Sequence, residues 1–361
     1  MHIPDGYLSP ATCATLGAAM VPVWAVAARR VKTVVTNRYV PLVALAAAYA
    51  FLVMMFNVPI PDGTTAHAVG AVLIAVLLGP WAAVIAVSIA LLIQALFFGD
   101  GGVLAFGANA FNMAFVMPMA GYGVYRLLAR SATLTAPRRA LAAGLGGYVG
   151  LNAAALCAAI EFGLQPELFT AADGTPLYAP FHFAQTIPAM ALAHLTVAGG
   201  VEFALTFGIV AYLQRTNLAI LRINHGAIPV DEAARDAAGP RRIGWGWVLA
   251  PLGLMLALTP LGLLAPGGAF GEDAPGDLDL GKYGLNAVPS GLNRYADFWS
   301  HAVLGGYGFS DGKHEVAGYL LSAGVGIAAI GVVMLAAFGL VRLARRSRPG
   351  DSGGGAATGA A

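Results

Sequence analysis

Ala66-His67-Ala68-Val69-Gly70-Ala71-Val72-Leu73-Ile74-Ala75-Val76-Leu77-Leu78-Gly79-Pro80-Trp81-Ala82-Ala83 opens an apolar run that reaches Phe98 without an Asp, Glu, Lys or Arg. Its reading decides the fold. As one straight helix, these 33 residues would extend about 50 Å, against a hydrocarbon core of about 30 Å. Gly79-Pro80 offers a turn in the middle, because proline ends or kinks a helix and biases its predecessor out of the helical region. The choice is between one pass and two, and the charges elsewhere in the chain make it.

The chain has 361 residues, of which 58% are hydrophobic and 11% charged, and its mean hydropathy is +0.73. A soluble domain carries about 25% charged residues. This composition is that of an all-α polytopic membrane protein in the lipid bilayer, with no nucleic-acid partner expected. Further apolar runs suited to spanning lie at 10–28, 39–56, 107–128, 139–160, 184–213, 244–265 and 316–340. The 184–213 run reads as one tilted helix from about 189, with an interfacial lead-in at Pro188. Basic clusters at Arg29–Arg38, Arg126–Arg139, Arg215–Arg242 and Arg342–Arg348 hold 17 of the 20 Lys and Arg residues. Two passes within 66–98 put all four clusters on one side, as the positive-inside rule requires, whereas one pass would put the second cluster outside. The expectation is nine spans, N-terminus out and C-terminus in. Cys13 and Cys157 are isolated in apolar runs and read as small core residues. No signal peptide is apparent, since the first basic residues follow the first apolar run.

This topology brings the loop before His67 to the same outer face as the terminus, Met1-His2-Ile3-Pro4-Asp5-Gly6-Tyr7. A histidine at position two offers one metal ion the Met1 α-amine, the His2 amide and the His2 imidazole, in adjacent five- and six-membered chelate rings. A further nitrogen, for which His67 is the candidate, completes a four-nitrogen plane. That plane suits Ni(II) or Cu(II), is open to low-spin Co(II), and holds Zn(II) poorly.

The ordered stretches Met1–Leu8, Pro61-Asp62-Gly63-Thr64-Thr65-Ala66-His67, Leu77–Ala83, Gln94–Gly102 and Gly107-Ala108-Asn109-Ala110-Phe111-Asn112-Met113 resemble the CbiM/NikM family. These are the substrate-capturing S components of energy-coupling factor transporters for cobalt and nickel. The resemblance covers about residues 1–215. Residues 244–340 resemble more loosely the two-helix NikN/PDGLE-type unit, through Phe309-Ser310-Asp311-Gly312-Lys313-His314-Glu315, with Ser310 where proline is usual. In the loop before His67, Asp62 stands where glycine is common and Thr65-Ala66 where Ser-Gly is common; neither change removes a ligand.

The resemblance implies a seven-helix S-component bundle (1–216), a cytoplasmic linker (217–243), a two-helix unit with an outer loop (244–340) and a basic, then disordered tail (341–361). It implies Met1, His2 and His67 as ligands of Co2+ or Ni2+, taken up for cobalamin biosynthesis or for nickel enzymes. It also implies a CbiQ/NikQ-like transmembrane coupling subunit, a CbiO/NikO-like ATPase, and a place in the plasma membrane of a prokaryote. No GxxxxGK[ST] loop occurs in this chain, so any ATPase is another polypeptide. Asn109 and Asn112, three apart, are expected on one helix face, as outer hydrogen-bond partners of the ligands or as helix caps. Asp5, Asp62 and Asp100 are candidates to balance the site's charge or to serve as turn residues. Ala14 and Ala18 form a small-xxx-small pair suited to docking the coupling subunit. His194 and Glu202, in the seventh span, are too far apart around the helix to pair directly, and Glu202 reads as the sole carboxylate deep in a span. The outer loop of the second unit is acidic (Glu272, Asp273, Asp277, Asp279, Asp297, Asp311) and is expected to assist loading or release. Two other classes compete: a permease driven by an ion gradient, for which intramembrane carboxylates are few, and an intramembrane metalloenzyme, for which no HExxH exists.

Overall fold

The computed structural model of the chain describes residues 1–34, 40–61, 63–230, 246–265 and 267–346. Helices dominate, as a bilayer demands: a backbone without water must satisfy its own N–H and C=O groups. Helix α1 (Pro10–Val34) is followed by α2 (Val40–Met54), a short ribbon of β1 (Val58–Pro59) and β2 (Thr65–Ala66), α3 (Ala71–Leu78) and α4 (Pro80–Ile93). Next come α5 (Phe106–Asn109) and α6 (Met117–Leu128), α7 (Pro137–Leu168), α8 (Phe183–Ala193) and α9 (Gly199–Thr216), and α10 (Leu218–His225). Beyond the undescribed stretch lie α11 (Gly246–Leu258), α12 (Ser290–Tyr295) and α13 (Glu315–Arg346). Wide π turns join α5 to α6 (Ala110–Val116) and α8 to α9 (His194–Ala198).

Among the described residues, five helices are long and apolar enough to cross a membrane: Pro10–Val31, Pro80–Phe98, Pro137–Leu168, Phe183–Thr216 and Glu315–Ala337. Pro41–Met54 and Leu249–Leu264 are shorter apolar helices.

The deciding run does break at Gly79, whose φ of 93° no ordinary side chain favours, and α4 starts on Pro80. Its first half is not the helix expected over 66–78. Thr65–Ala66 pairs antiparallel with Val58–Pro59, residues 67–70 form a buried turn, and only eight residues are helical. Irregular backbone survives at such depth where protein rather than lipid surrounds it. Glu202 surrounds it here: its Oε2 accepts the N–H groups of Val69 and Gly70, both at 2.9 Å.

Three other expectations change. Helix α8 begins at Phe183, capped by His182 and Gln185, and runs through Pro188, ahead of the start expected near 189. Helix α7 continues to Leu168, so Glu161 is a second buried carboxylate inside a helix, bonded by Asn112 Nδ2 at 2.8 Å. The linker expected from 217 starts as packed structure. Leu218, Leu221 and His225 are buried, and Asn224 Nδ2 donates to the carbonyls of Ala75 and Val76 at the end of α3. The remainder of that linker, from 231, and the tail from 347 lie outside the described residues.

Helix α1 meets α5 at two glycines, a Cβ on Gly107 coming within 2.5 Å of Gly17 Cα. Ala14 and Ala18 are exposed on the same helix. The second unit lies along α2: Tyr319 Oη donates to the Met55 carbonyl at 2.7 Å, and Gly326 leaves room for the Phe51 ring.

Candidate metal centre

A chain terminus ordinarily frays; this one is among the most buried segments of the protein. Met1 and His2 are 3% and 2% exposed, and Ile3, Tyr7 and Leu8 are equally enclosed. Backbone and side-chain bonds lace it down. Asn109 accepts from Ile3 N at 2.8 Å through Oδ1 and donates to Ile3 O at 3.0 Å through Nδ2, and Gly102 N donates to the same carbonyl at 2.9 Å. Asp5 accepts the N–H groups of Val103 and Ala105 at 3.0 and 3.1 Å. Burial pushes its carboxyl up, while the Ala105 and Val103 amides pull the other way. Ser9, the last residue before α1, caps that helix through Thr12 N. Tyr7 stacks on Phe181, which also packs against Phe270 and Tyr283 from the second unit's outer loop.

At the head of this segment two imidazoles meet. The rings of His2 and His67 stack with centroids 4.9 Å apart and planes at 30°. His67 Nδ1 faces the Ala68 carbonyl at 2.9 Å, which assigns the proton to Nδ1 and leaves the lone pair on Nε2. That Nε2 is buried and has no hydrogen-bond partner among the described residues; neither has His2 Nε2. An Nδ1–H engaged with a carbonyl and an Nε2 with no acceptor to donate to is the arrangement of a neutral imidazole. A neutral imidazole is the metal-binding form.

His2 Nδ1 lies 3.0 Å from Asp100 Oδ1. Burial pushes the Asp100 carboxyl up, but His2, Tyr307 and His67 outweigh it and hold the group below the usual carboxylate range. Tyr307 Oη and Gln94 Nε2 both donate to its Oδ2. The nitrogen that closes a six-membered chelate ring with the His2 amide is Nδ1. Chelation therefore requires Nδ1 to give up its contact with Asp100. The Met1 ammonium donates to Glu272 Oε1 at 2.9 Å. An amine bound to a metal keeps two N–H bonds, so this contact is compatible with ligation.

Of the residues singled out from the sequence, Met1, His2, His67, Asp100 and Asn109 come together. Asn112 does not join them, because the π turn that starts at Ala110 breaks the three-residue register with Asn109 and aims it at Glu161. Asp5 instead ties the terminal segment to the 103–105 loop. Asp62 lies outside the described residues. Tyr307 escaped sequence reasoning, and Glu272 was legible only as one acid of the outer loop: no spacing links either to a terminus more than 270 residues away. Among the described residues no group of three or more His, Cys, Asp or Glu side chains is arranged to hold a metal. The nitrogen set here is two imidazoles plus main-chain atoms. His194, also buried, donates from Nδ1 to the Met190 carbonyl at 2.8 Å, and its turn packs beside β2.

The family described as the cobalt uptake substrate-specific transmembrane region, CbiM, matches residues 2–220. The chain belongs to the CbiM family. It is a family of transport proteins, not enzymes, and the chain is a multi-pass membrane protein. It is similar to the fused nickel transport protein NikMN of Rhodobacter capsulatus, at 48% identity over 96% of this chain and 100% of that protein. It is also similar to the probable fused nickel transport protein LarMN of Lactiplantibacillus plantarum, at 45% identity over 90% of this chain and 93% of the relative. The cobalt transport protein CbiM of Acetohalobium arabaticum is 38% identical over 36% of this chain and 52% of its own length. A crystal structure described as a truncated transition metal transporter is 60% identical over 59% of this chain and 98% of its own, with a TM-score of 0.56.

Proposed function

We propose that this protein captures Ni2+ or Co2+ at the outer face of the membrane, as the substrate-specific component of an energy-coupling factor transporter. The cargo is held in a plane by the Met1 amine, the deprotonated His2 amide, His2 Nδ1 and His67 Nε2. The observation that carries this reading is the stacked, buried pair of imidazoles beside an equally buried terminal amine. Nickel is favoured as cargo, because the relatives that run the length of this chain bear nickel names. The test is the spin state of bound nickel. Four nitrogens in a square plane make Ni(II) diamagnetic, with Cu(II) competing strongly and Zn(II) weakly. Paramagnetic, six-coordinate Ni(II) in the purified protein would rule the plane out.

The working topology is nine passes, with α3 and α4 forming the paired passes of residues 66–98, the terminus outside and the basic loops inside. Residues 1–216 make the capturing unit. The exposed Ala14 and Ala18 are the docking face for a coupling subunit, and a separate ATPase drives transport.

Residues 244–340 act on loading. Their support is Glu272 on the Met1 ammonium and Tyr307 on Asp100. Truncation after Thr216 is expected to leave a protein that binds nickel, weakened by about 10–100-fold as for other losses of outer hydrogen-bond partners, with transport lost. Calorimetry on the purified fragment checks it. Complete loss of binding in a folded fragment would put a ligand in the second unit.

A further inference from the structure

Glu202 has no part in the ligand plane, yet it holds the segment that carries His67. We propose that Glu202 is a positioning residue for the cargo site, fixing the 67–70 turn so that the His67 ring is held against that of His2. The inference rests on the reading of His67 as a ligand.

Glu202, on α9, is fully buried, and its Oε2 accepts the N–H groups of Val69 and Gly70, each at 2.9 Å. These amides lead into α3. The first N–H groups of any helix lack partners within it, and a carboxylate there is further favoured by the helix dipole. Most helices solve this locally, with a Ser, Thr, Asp or Asn just before the first turn. Here that residue is Gly70, at φ 73°, with no side chain to offer. No other residue fits, since a Cβ would stand 2.4 Å from the Tyr49 ring. The cap therefore comes from a helix 132 residues further along the chain.

The consequence lies two residues upstream. His67 sits between β2, which is paired to β1, and the Val69-Gly70 clasp. Its ring is oriented by Nδ1 on the carbonyl of Ala68, the residue next to that clasp. Turning the Val69 amide away from Glu202 would swing the Ala68 carbonyl and the imidazole with it. Ligand rings are held in this way by outer partners, and sites loosen by ångströms when such support is removed.

A merely structural role, capping α3, makes a different prediction, and the far end of α3 supplies the control. Asn224 Nδ2 donates to Ala75 O at 3.2 Å and Val76 O at 3.1 Å, capping the same helix about 12 Å from the turn. Loosening α3 from that end leaves the 67–70 clasp in place.

The experiment uses the full-length protein in detergent, with Ni2+ affinity by chelator competition and Cu2+ electron paramagnetic resonance as the signature of the nitrogen plane. Glu202→Ala is expected to weaken Ni2+ binding by about 10–100-fold and to broaden the Cu2+ spectrum into several environments. Glu202→Gln keeps a carbonyl oxygen for the two amides and is expected to recover most of both. Asn224→Ala is expected to leave both readouts unchanged. Wild-type affinity and spectrum in Glu202→Ala would overturn the proposal, as would an equal loss in Asn224→Ala. If Glu202→Ala does not fold, Glu202→Asp, which withdraws the carboxylate by one methylene, decides in the same way. His67→Ala run in parallel separates two failures: wild-type binding there sinks the ligand reading itself, whereas loss there with none in the Glu202 variants sinks the positioning role alone.

Discussion

A tag of several residues placed before Met1 is expected to abolish nickel binding, although every original side chain remains. The tag converts the terminal amine into a neutral amide and takes away the nitrogen that begins the chelate. Room is a second obstacle. Met1 is 3% exposed and pairs with Glu272, and the next residues are tied through Ile3 to Asn109 and Gly102. The added chain must either displace the Glu272 contact or push His2 out of register with His67. A tag of equal mass after Ala361 is expected to leave binding unchanged. Comparing the two purified proteins by Ni2+ titration isolates the terminus as the variable. Equal affinity in both, with the extended protein folded, would refute the amine as a ligand.

His67→Ala carries the next largest effect. Loss of outer partners of a metal site costs about 10–100-fold, and loss of a ligand in the plane exceeds that, so affinity should fall by more than about 100-fold. Stability should fall little by comparison. The substitution deletes one side-chain bond, from Nδ1 to the Ala68 carbonyl, and leaves a small cavity beside His2; single changes of this kind cost about 1–3 kcal/mol. The fold is held by far more, including Glu202 on the adjacent turn. A thermal melt close to wild type with nickel binding gone is the expected pair of results. Unchanged stoichiometric binding would remove His67 from the site.

What the sequence by itself determined is whatever depends on local pattern. Low charge and long apolar runs declare a membrane protein, because lipid solvates only apolar helices. Gly79-Pro80 marks the break in the deciding run, because a positive φ followed by a missing N–H cannot continue a helix. Met1 and His2 stand out as candidates because a terminal amine, an amide and an imidazole at position two can chelate by covalent connectivity alone, and His67 joins them through the shared outer face and the family resemblance. The structure then brings the two imidazoles within stacking distance.

Only the tertiary structure decided the rest, and in each instance the cause is a contact between residues far apart in the chain. The 67–70 turn is not helical because a carboxylate from α9 and the ring of Tyr49 take over what α3 cannot supply for itself. Asn109 reaches the terminus and Asn112 does not, because a π turn intervenes whose width no local propensity reveals. Glu272 and Tyr307 join the first hundred residues through a loop whose sequence shows acidity and no address. The pairing of Met1 with Glu272 spans 271 positions. Such partners are chosen by the packing of whole helices, where apolar surfaces of similar composition meet and only shape distinguishes them.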